Sequence, residues 1–192
     1  MEAKFKRVVV KIGSNVLTQK DGTLDTARME SLVNQVAQLH QAGVEVILVS
    51  SGAVASGRSE MKLQKKLDPV SARQLFSAVG QAKLINRYYE LFAKHGMICG
   101  QVLTTKDSFG TRIQYLTQKD CMSVMLDNKV VPIVNENDTI SVTELMFTDN
   151  DELSGLLATM MQAEALIILS NIDGIYDGDP NLPESKVITQ IE

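Results

Sequence analysis

The feature that most constrains this 192-residue chain is a repeated switch between two hydrophobic periodicities. Arg7-Val8-Val9-Val10-Lys11-Ile12, Val44-Glu45-Val46-Ile47-Leu48-Val49, Met97 to Leu103, Val130-Val131-Pro132-Ile133-Val134 and Ala165-Leu166-Ile167-Ile168-Leu169 are short, nearly continuous apolar runs that read as strands. Between them apolar residues recur at helical spacing. After Asp25 these are Met29, Leu32, Val33, Val36 and Leu39, with Gly43 as the stop. After Pro69, which suits a first helical turn, Leu75, Val79, Ala82, Ile85, Tyr89 and Phe92 fall toward one side, and the stretch ends near Gly96. Thr111 to Asp127 reads as helix, Val142 to Phe147 as one arm of a small hairpin, and Asp151 to Met161 as a helix with Leu153, Leu156, Leu157 and Met160 inside. Strands without internal alternation need cover on both faces, so this order predicts a mainly parallel sheet with helices on each side.

Composition removes several function classes. Hydrophobic residues make up 44% and charged residues 22%, the balance of an ordinary globular domain. No apolar stretch approaches the roughly 20 residues that span a bilayer. The charged start, Met1 to Arg7, runs straight into a strand and does not read as a secretory signal, so a cytoplasmic protein is expected, without membrane partners. Cys99 and Cys121 lack metal-ligand spacing and read as small core residues in a reducing compartment. A net charge of -4 without a basic run argues against nucleic-acid binding. An anionic substrate must then be met by a few local cations and a metal ion.

Ligands of open α/β sheets bind beyond the carboxyl ends of the strands. Those exits here are Gly13-Ser14-Asn15, Ser50-Ser51-Gly52-Ala53, Asn135-Glu136-Asn137-Asp138, Thr148-Asp149-Asn150-Asp151 after the expected hairpin, and Ser170-Asn171-Ile172-Asp173-Gly174. All are small, polar or charged. Lys11 either snorkels from a strand end or places a point charge on a phosphoryl group, with Gly13, Ser14 and Asn15 offering backbone N–H groups. Neither a P-loop nor a dinucleotide-binding glycine pattern is present. Gly52 permits close approach of a ligand to the backbone. The amides and carboxylates of Asn135 to Asp138 can donate to a carboxylate and accept from an ammonium, as a free amino acid requires, or can form an Asx turn. One of the acidic residues at 149–151 suffices as a helix cap; the others make sense beside cations such as lysine and Mg²⁺.

The ordered set Val-Val-Val-Lys11-Ile-Gly13-Ser14, Ser51-Gly52-Ala53, Asn135-Glu136-Asn137-Asp138, Asp149-Asn150-Asp151 and Asp173-Gly174-Ile175-Tyr176 with Asp179-Pro180 resembles the amino acid kinase family along essentially the whole chain. The resemblance implies a three-layer α/β/α sandwich, with an amino-acid-binding lobe over residues 1–164 and the start of a nucleotide lobe over 165–192. It implies that Lys11, Gly13, Ser14, Ser170 and Asn171 meet ATP, that Ser51, Gly52, Ala53, Asn135, Asp138 and Asn150 hold the acceptor, and that Lys11 and Asp151 serve catalysis. No protein side chains are expected to bind a metal directly; Mg²⁺ would arrive on the ATP phosphates.

Within that family the pairing of Asn-Glu-Asn-Asp with Asp-Asn-Asp is similar to members that phosphorylate the side-chain carboxylate of glutamate, the first step of proline synthesis. That resemblance implies a homo-oligomer and proline as a feedback inhibitor. Sibling acceptors are N-acetylglutamate, aspartate, carbamate and nucleoside monophosphates. Asp138 favours a free ammonium, and Lys-Ile-Gly-Ser differs from the Lys-Phe-Gly-Gly-Thr of aspartate kinases. Two departures stand out: Asn171 replaces a frequent Asp, and the family's Gly-Thr-Gly-Gly-Met-x-Thr-Lys segment, with a second lysine, has no counterpart before Glu192. The chain is therefore expected to be C-terminally incomplete, and a non-catalytic glutamate-binding module is the competing class.

Overall fold

The computed structural model describes residues 4–62, 65–140 and 150–190. Its five strands are β1 (Arg7–Ile12), β2 (Glu45–Ser50), β3 (Ile98–Thr104), β4 (Val130–Glu136) and β5 (Ala165–Leu169). They form one all-parallel sheet in the order β3-β4-β2-β1-β5. The helices are α1 (Ser14–Leu17), α2 (Thr26–Gln41), α3 (Ala53–Glu60), α4 (Pro69–Ala93), α5 (Asp107–Gly110), α6 (Arg112–Asp127) and α7 (Asn150–Met160). The hairpin expected over residues 142–147, together with Thr148 and Asp149, lies outside the described residues. Among the described residues, no helix is long and apolar enough to cross a membrane.

The period of two along each strand sorts the core into two layers. Val8, Val10, Ile12, Val46 and Leu48 face α2 and α4, meeting Met29, Val33, Leu84, Tyr88 and Phe92. Val9, Ile47, Val49 and Val134 face the opposite way, against Met122 and Leu126 of α6 and Leu153, Leu157 and Met160 of α7. Burying each large apolar side chain of this kind contributes about 2 kcal/mol. Helix starts are set locally: the side chains of Asp25 and Asp68 accept from Arg28 N at 2.9 Å and Ser71 N at 3.0 Å, and Pro69 supplies the first turn of α4.

Three expectations change. The buried face of α4 carries Phe76, Ser77, Gly80, Gln81, Leu84, Tyr88, Leu91 and Phe92, whereas Ala82 and Tyr89 are exposed. That face is rotated because its first half is polar and small, so hydrophobicity misplaces it. The exit Ser51-Gly52-Ala53 opens a helix, α3, that the periodicity did not predict. Cys99 is buried, and burial pushes its thiol up to about 12, but Cys121 is exposed on α6 rather than in the core.

β5 is an edge strand whose Leu166, Ile167 and Ile168 are 37%, 41% and 46% exposed, despite being the most apolar run of the chain. Among the described residues it pairs with β1 alone, and the helices pack mainly over the other four strands.

Candidate active site

The register aligns the strand exits in a row. Lys11 is level with Val49 of β2 and Ile168 of β5, and Val49 is level with Val134 of β4. The exits at Asn135, Ser51, Gly13 and Ser170 therefore follow one another across the sheet, with β1 and its Lys11 between β2 and β5. Acceptor residues expected from the sequence lie on the β4–β2 side, and Ser170 and Asn171 lie on the β5 side.

On the β4–β2 side, an open cleft of about 580 Å³ is lined by Ser14, Ser51, Gly52, Ala53, Asn135, Asp138 and Asn150, with Glu136, Arg58 and Arg73 added to the expected set. Gly52 is in the left-handed region at φ 100°, where a side chain would be strained, and it caps α3. The first-turn amides of α3 have no carbonyl partner within their helix. They belong to Ala53, Val54 and Ala55, all of which line the cleft.

Asn150, the first residue of α7, organises the polar wall. Its Nδ2 donates to Ser51 Oγ at 2.8 Å and to Asn135 Oδ1 at 3.1 Å. Because Ser51 Oγ accepts this bond, its own proton is left to point elsewhere; because Asn135 accepts through oxygen, its NH₂ group is left as a donor. The network therefore supplies hydrogen-bond donors around the strand exits, a polarity that suits an anionic group.

The opposite polarity is a few residues away. Asp138 is 5% exposed. Its Oδ1 accepts from Arg73 Nε at 2.7 Å and its Oδ2 from Ser77 Oγ at 3.1 Å. Arg73 also donates through NH2 to Glu136 Oε2 at 3.1 Å, and Glu136 is itself buried. Burying carboxylates is tolerated only with such charge-assisted partners. Arg73, Ser77 and Gln81 recur on one face of α4, and Gln81 reaches Glu136 O at 3.4 Å. Sequence reading missed Arg73 and Ser77. The available signal was their spacing of four residues in the first turns after Pro69, where a helix leaves the strand-exit level.

α4 can approach because α3 packs against it through glycines. A Cβ on Gly57 would lie 1.8 Å from Phe76 O, and one on Gly80 would lie 1.8 Å from Ala53 O. Behind the cleft, Ser50 Oγ and Tyr88 OH, both buried, are hydrogen-bonded at 2.9 Å. Burial raises the Tyr88 phenol far above its ordinary value, against the lowering effect of that bond.

Lys11 shares the sheet face of Val9, so its side chain runs toward α7. Its Nζ lies 2.5 Å from Asp151 Oδ1, with the lysine side chain 10% and the aspartate side chain 44% exposed. Lys11 thus has a buried stem and a head paired with Asp151. Gly13 keeps the space open: a Cβ there would sit 3.3 Å from Leu169 O and 3.7 Å from Lys11 Nζ. One expected phosphate donor is corrected, since Gly13 N donates to Leu169 O at 3.1 Å. Among the described residues, the amides of Ser14 and Asn15, at the start of α1, carry no such strand bond. Ser170 lines a separate depression between α2 and β5 with Asp25, Arg28 and Leu169, and Asn171 is exposed beside it. The residues expected to hold the acceptor thus gather in one cleft, while Ser170 and Asn171 do not join it.

Over all 192 residues the chain is 70% identical to a glutamate 5-kinase of Bacteroides thetaiotaomicron, covering 53% of that protein. It is 52% identical over 184 residues to a glutamate 5-kinase of Chlorobaculum tepidum, covering 94% of this chain and 51% of the relative. The chain spans about half the length of these curated relatives. Among solved structures, an isopentenyl phosphate kinase superposes with a TM-score of 0.64 at 15% identity, over 94% of this chain and 78% of its own. That similarity shows the fold alone. The model of the amino acid kinase family matches residues 6–192, and the chain belongs to that family.

Proposed function

We propose that this chain is the glutamate-binding part, residues 1–164, and the beginning of the nucleotide-binding part, residues 165–192, of an ATP-dependent kinase. Its reaction transfers the γ-phosphoryl group of MgATP to the side-chain carboxylate of glutamate. The product is γ-glutamyl phosphate, formed in the first step of proline biosynthesis in a cytoplasmic homo-oligomer. The names of the relatives support this reading. The observation that carries it is the segregation of polarity in one cleft: donors at Ser51, Asn135 and the α3 amides, and the carboxylate of Asp138 held by Arg73 and Ser77.

The acceptor carboxylate is ionised at neutral pH and needs no general base. Catalysis then rests on position and on charge placed against the transferring oxygens. Lys11, held by Asp151, supplies a positive charge at the exit of β1. The Ser14 amide and Lys11 would contact ATP phosphates, which would also carry Mg²⁺, and Ser170 and Asn171 would border the nucleotide. Proline, which shares the ammonium and α-carboxylate of glutamate, would compete for Asp138.

Heat stability tests the acceptor. L-Glutamate at about 100 times its dissociation constant should add about 2.7 kcal/mol of stability. For a chain of this size that corresponds to roughly 5–10 °C in Tm. N-acetylglutamate, whose amide cannot pair with Asp138 as an ammonium does, and aspartate, one methylene shorter, should give little shift at the same concentration. A larger shift with either than with glutamate would overturn the assignment. A shift with glutamate and none with MgATP would support a binding module over a complete kinase site.

A further inference from the structure

Two guanidinium groups line the cleft, and they are used differently. Arg73 is occupied by Asp138 and Glu136. Arg58, in the last turn of α3, has no carboxylate partner among the described residues. Its guanidinium carbon lies 5.5 Å from the centroid of the Phe76 ring. Phe76 is 6% exposed and fixed in α4. Stacking on a ring orients a guanidinium without neutralising it, so among the described residues Arg58 presents a charge that no carboxylate pairs at the cleft wall.

Charge matching then distinguishes the ligand's groups. Asp138 and Glu136 set two carboxylates against the single guanidinium of Arg73, an arrangement that suits an ammonium. Arg58 carries one positive charge, which one carboxylate balances. The α-carbon of an amino acid bears both groups, and its side-chain carboxylate is left for the donor wall and Lys11.

We propose that Arg58 pairs with the α-carboxylate of the acceptor and is the residue that discriminates α-amino acids from simple amines. The assignment rests on the glutamate reading above. It makes Arg58 a specificity-determining residue that touches the substrate away from the transferred phosphoryl group.

Calorimetric titration of the chain with L-glutamate, 4-aminobutyrate and glutarate tests it. 4-Aminobutyrate is glutamate without the α-carboxylate, and glutarate is glutamate without the amino group. Wild-type protein should bind glutamate at least about 10-fold more tightly than 4-aminobutyrate. Arg58→Met should lower glutamate and glutarate affinity by roughly 10- to 100-fold and 4-aminobutyrate affinity by less than about threefold. Arg58→Lys, which keeps the charge but not the planar fork, should recover part of the loss. Arg58 is exposed, and unchanged melting of the ligand-free variants checks their fold. If Arg58→Met weakens glutamate and 4-aminobutyrate equally, or neither, the Arg58 role is overturned while the glutamate reading stands. If the wild type binds none of the three ligands, the glutamate reading fails and takes this assignment with it.

Discussion

Asn150 and Ser51 are 99 residues apart in sequence and joined by a 2.8 Å hydrogen bond at the mouth of the cleft. The donor is the Asn150 amide nitrogen, so the direction of this bond fixes where the Ser51 proton cannot go. One amide thereby sets the hydrogen-bonding sense of the donor wall, because it also takes the oxygen end of Asn135.

Reversing that sense should empty the site without unfolding the protein. Asn150→Asp replaces the donor with an acceptor, turns the Ser51 hydroxyl inward and adds a negative charge to the donor wall. Loss of one such interaction with a charged ligand amounts to about 1.5–3 kcal/mol, or roughly 10- to 100-fold in affinity. Titration with glutamate should show that loss, with a Tm in the absence of ligand close to wild type. Affinity within about threefold of wild type would contradict the network's role.

Lys11 should matter to phosphoryl transfer far more than to stability. In a chain extended to the length of its relatives, Lys11→Met should lower glutamate-dependent ADP formation by about 100-fold, or about 3 kcal/mol of transition-state stabilisation. The side chain of its partner Asp151 is 44% exposed, although the oxygen that faces Lys11 is buried, so the Tm should fall by far less than the rate does. A rate loss below about tenfold would remove Lys11 from catalysis.

The α3–α4 contact predicts opposite signs for glycine substitutions. Gly57→Ala and Gly80→Ala each drive a methyl to 1.8 Å from a backbone oxygen. Each should cost about 3 kcal/mol and lower Tm by roughly 6–12 °C. Gly155→Ala, in α7 with nothing within 4 Å of the added carbon, should instead stabilise by about 0.5–1 kcal/mol. Thermal melts of the three variants decide this, and equal effects would refute the close packing.

Cys99 should make stability fall in alkali. Its folded thiol is raised by burial from 9.0 to about 12. Above about pH 9 the unfolded chain loses that proton while the folded chain keeps it, so unfolding becomes more favourable as pH rises toward 12. Denaturant titrations should therefore show a decline beginning near pH 9 that is reduced in Cys99→Ala. Alkylation at pH 8 should label exposed Cys121 in the native protein and Cys99 only after unfolding.

Much of the fold was legible because its signals are local. Continuous Val, Ile and Leu runs mark strands covered on both faces, and Asp25, Pro69 and Thr111 mark helix starts. The site was legible to a lesser degree. Its strand-exit clusters could be read, and Asn135, Ser51, Asp138 and Asn150 do line one cleft. Arg73 and Arg58 escaped, because a charge on a helix looks solvated until the facing element is known. The rotated face of α4 escaped for a related reason: Ser77, Gly80 and Gln81 are buried by close backbone packing and polar partners, neither of which leaves a hydrophobic stripe.

The sequence by itself determined the alternation of strands and helices, the parallel sheet and the polar character of each strand exit, since these follow from periodicity and short-range chemistry. Tertiary structure decided which exits become neighbours and which way their protons point. The strand order puts β1 between β2 and β5, and the period of two sends Lys11 to the side of α7. There it meets Asp151, while Asn150, one residue earlier, reaches across to Ser51. Such pairings depend on the packing of distant segments, which no local pattern of residues encodes.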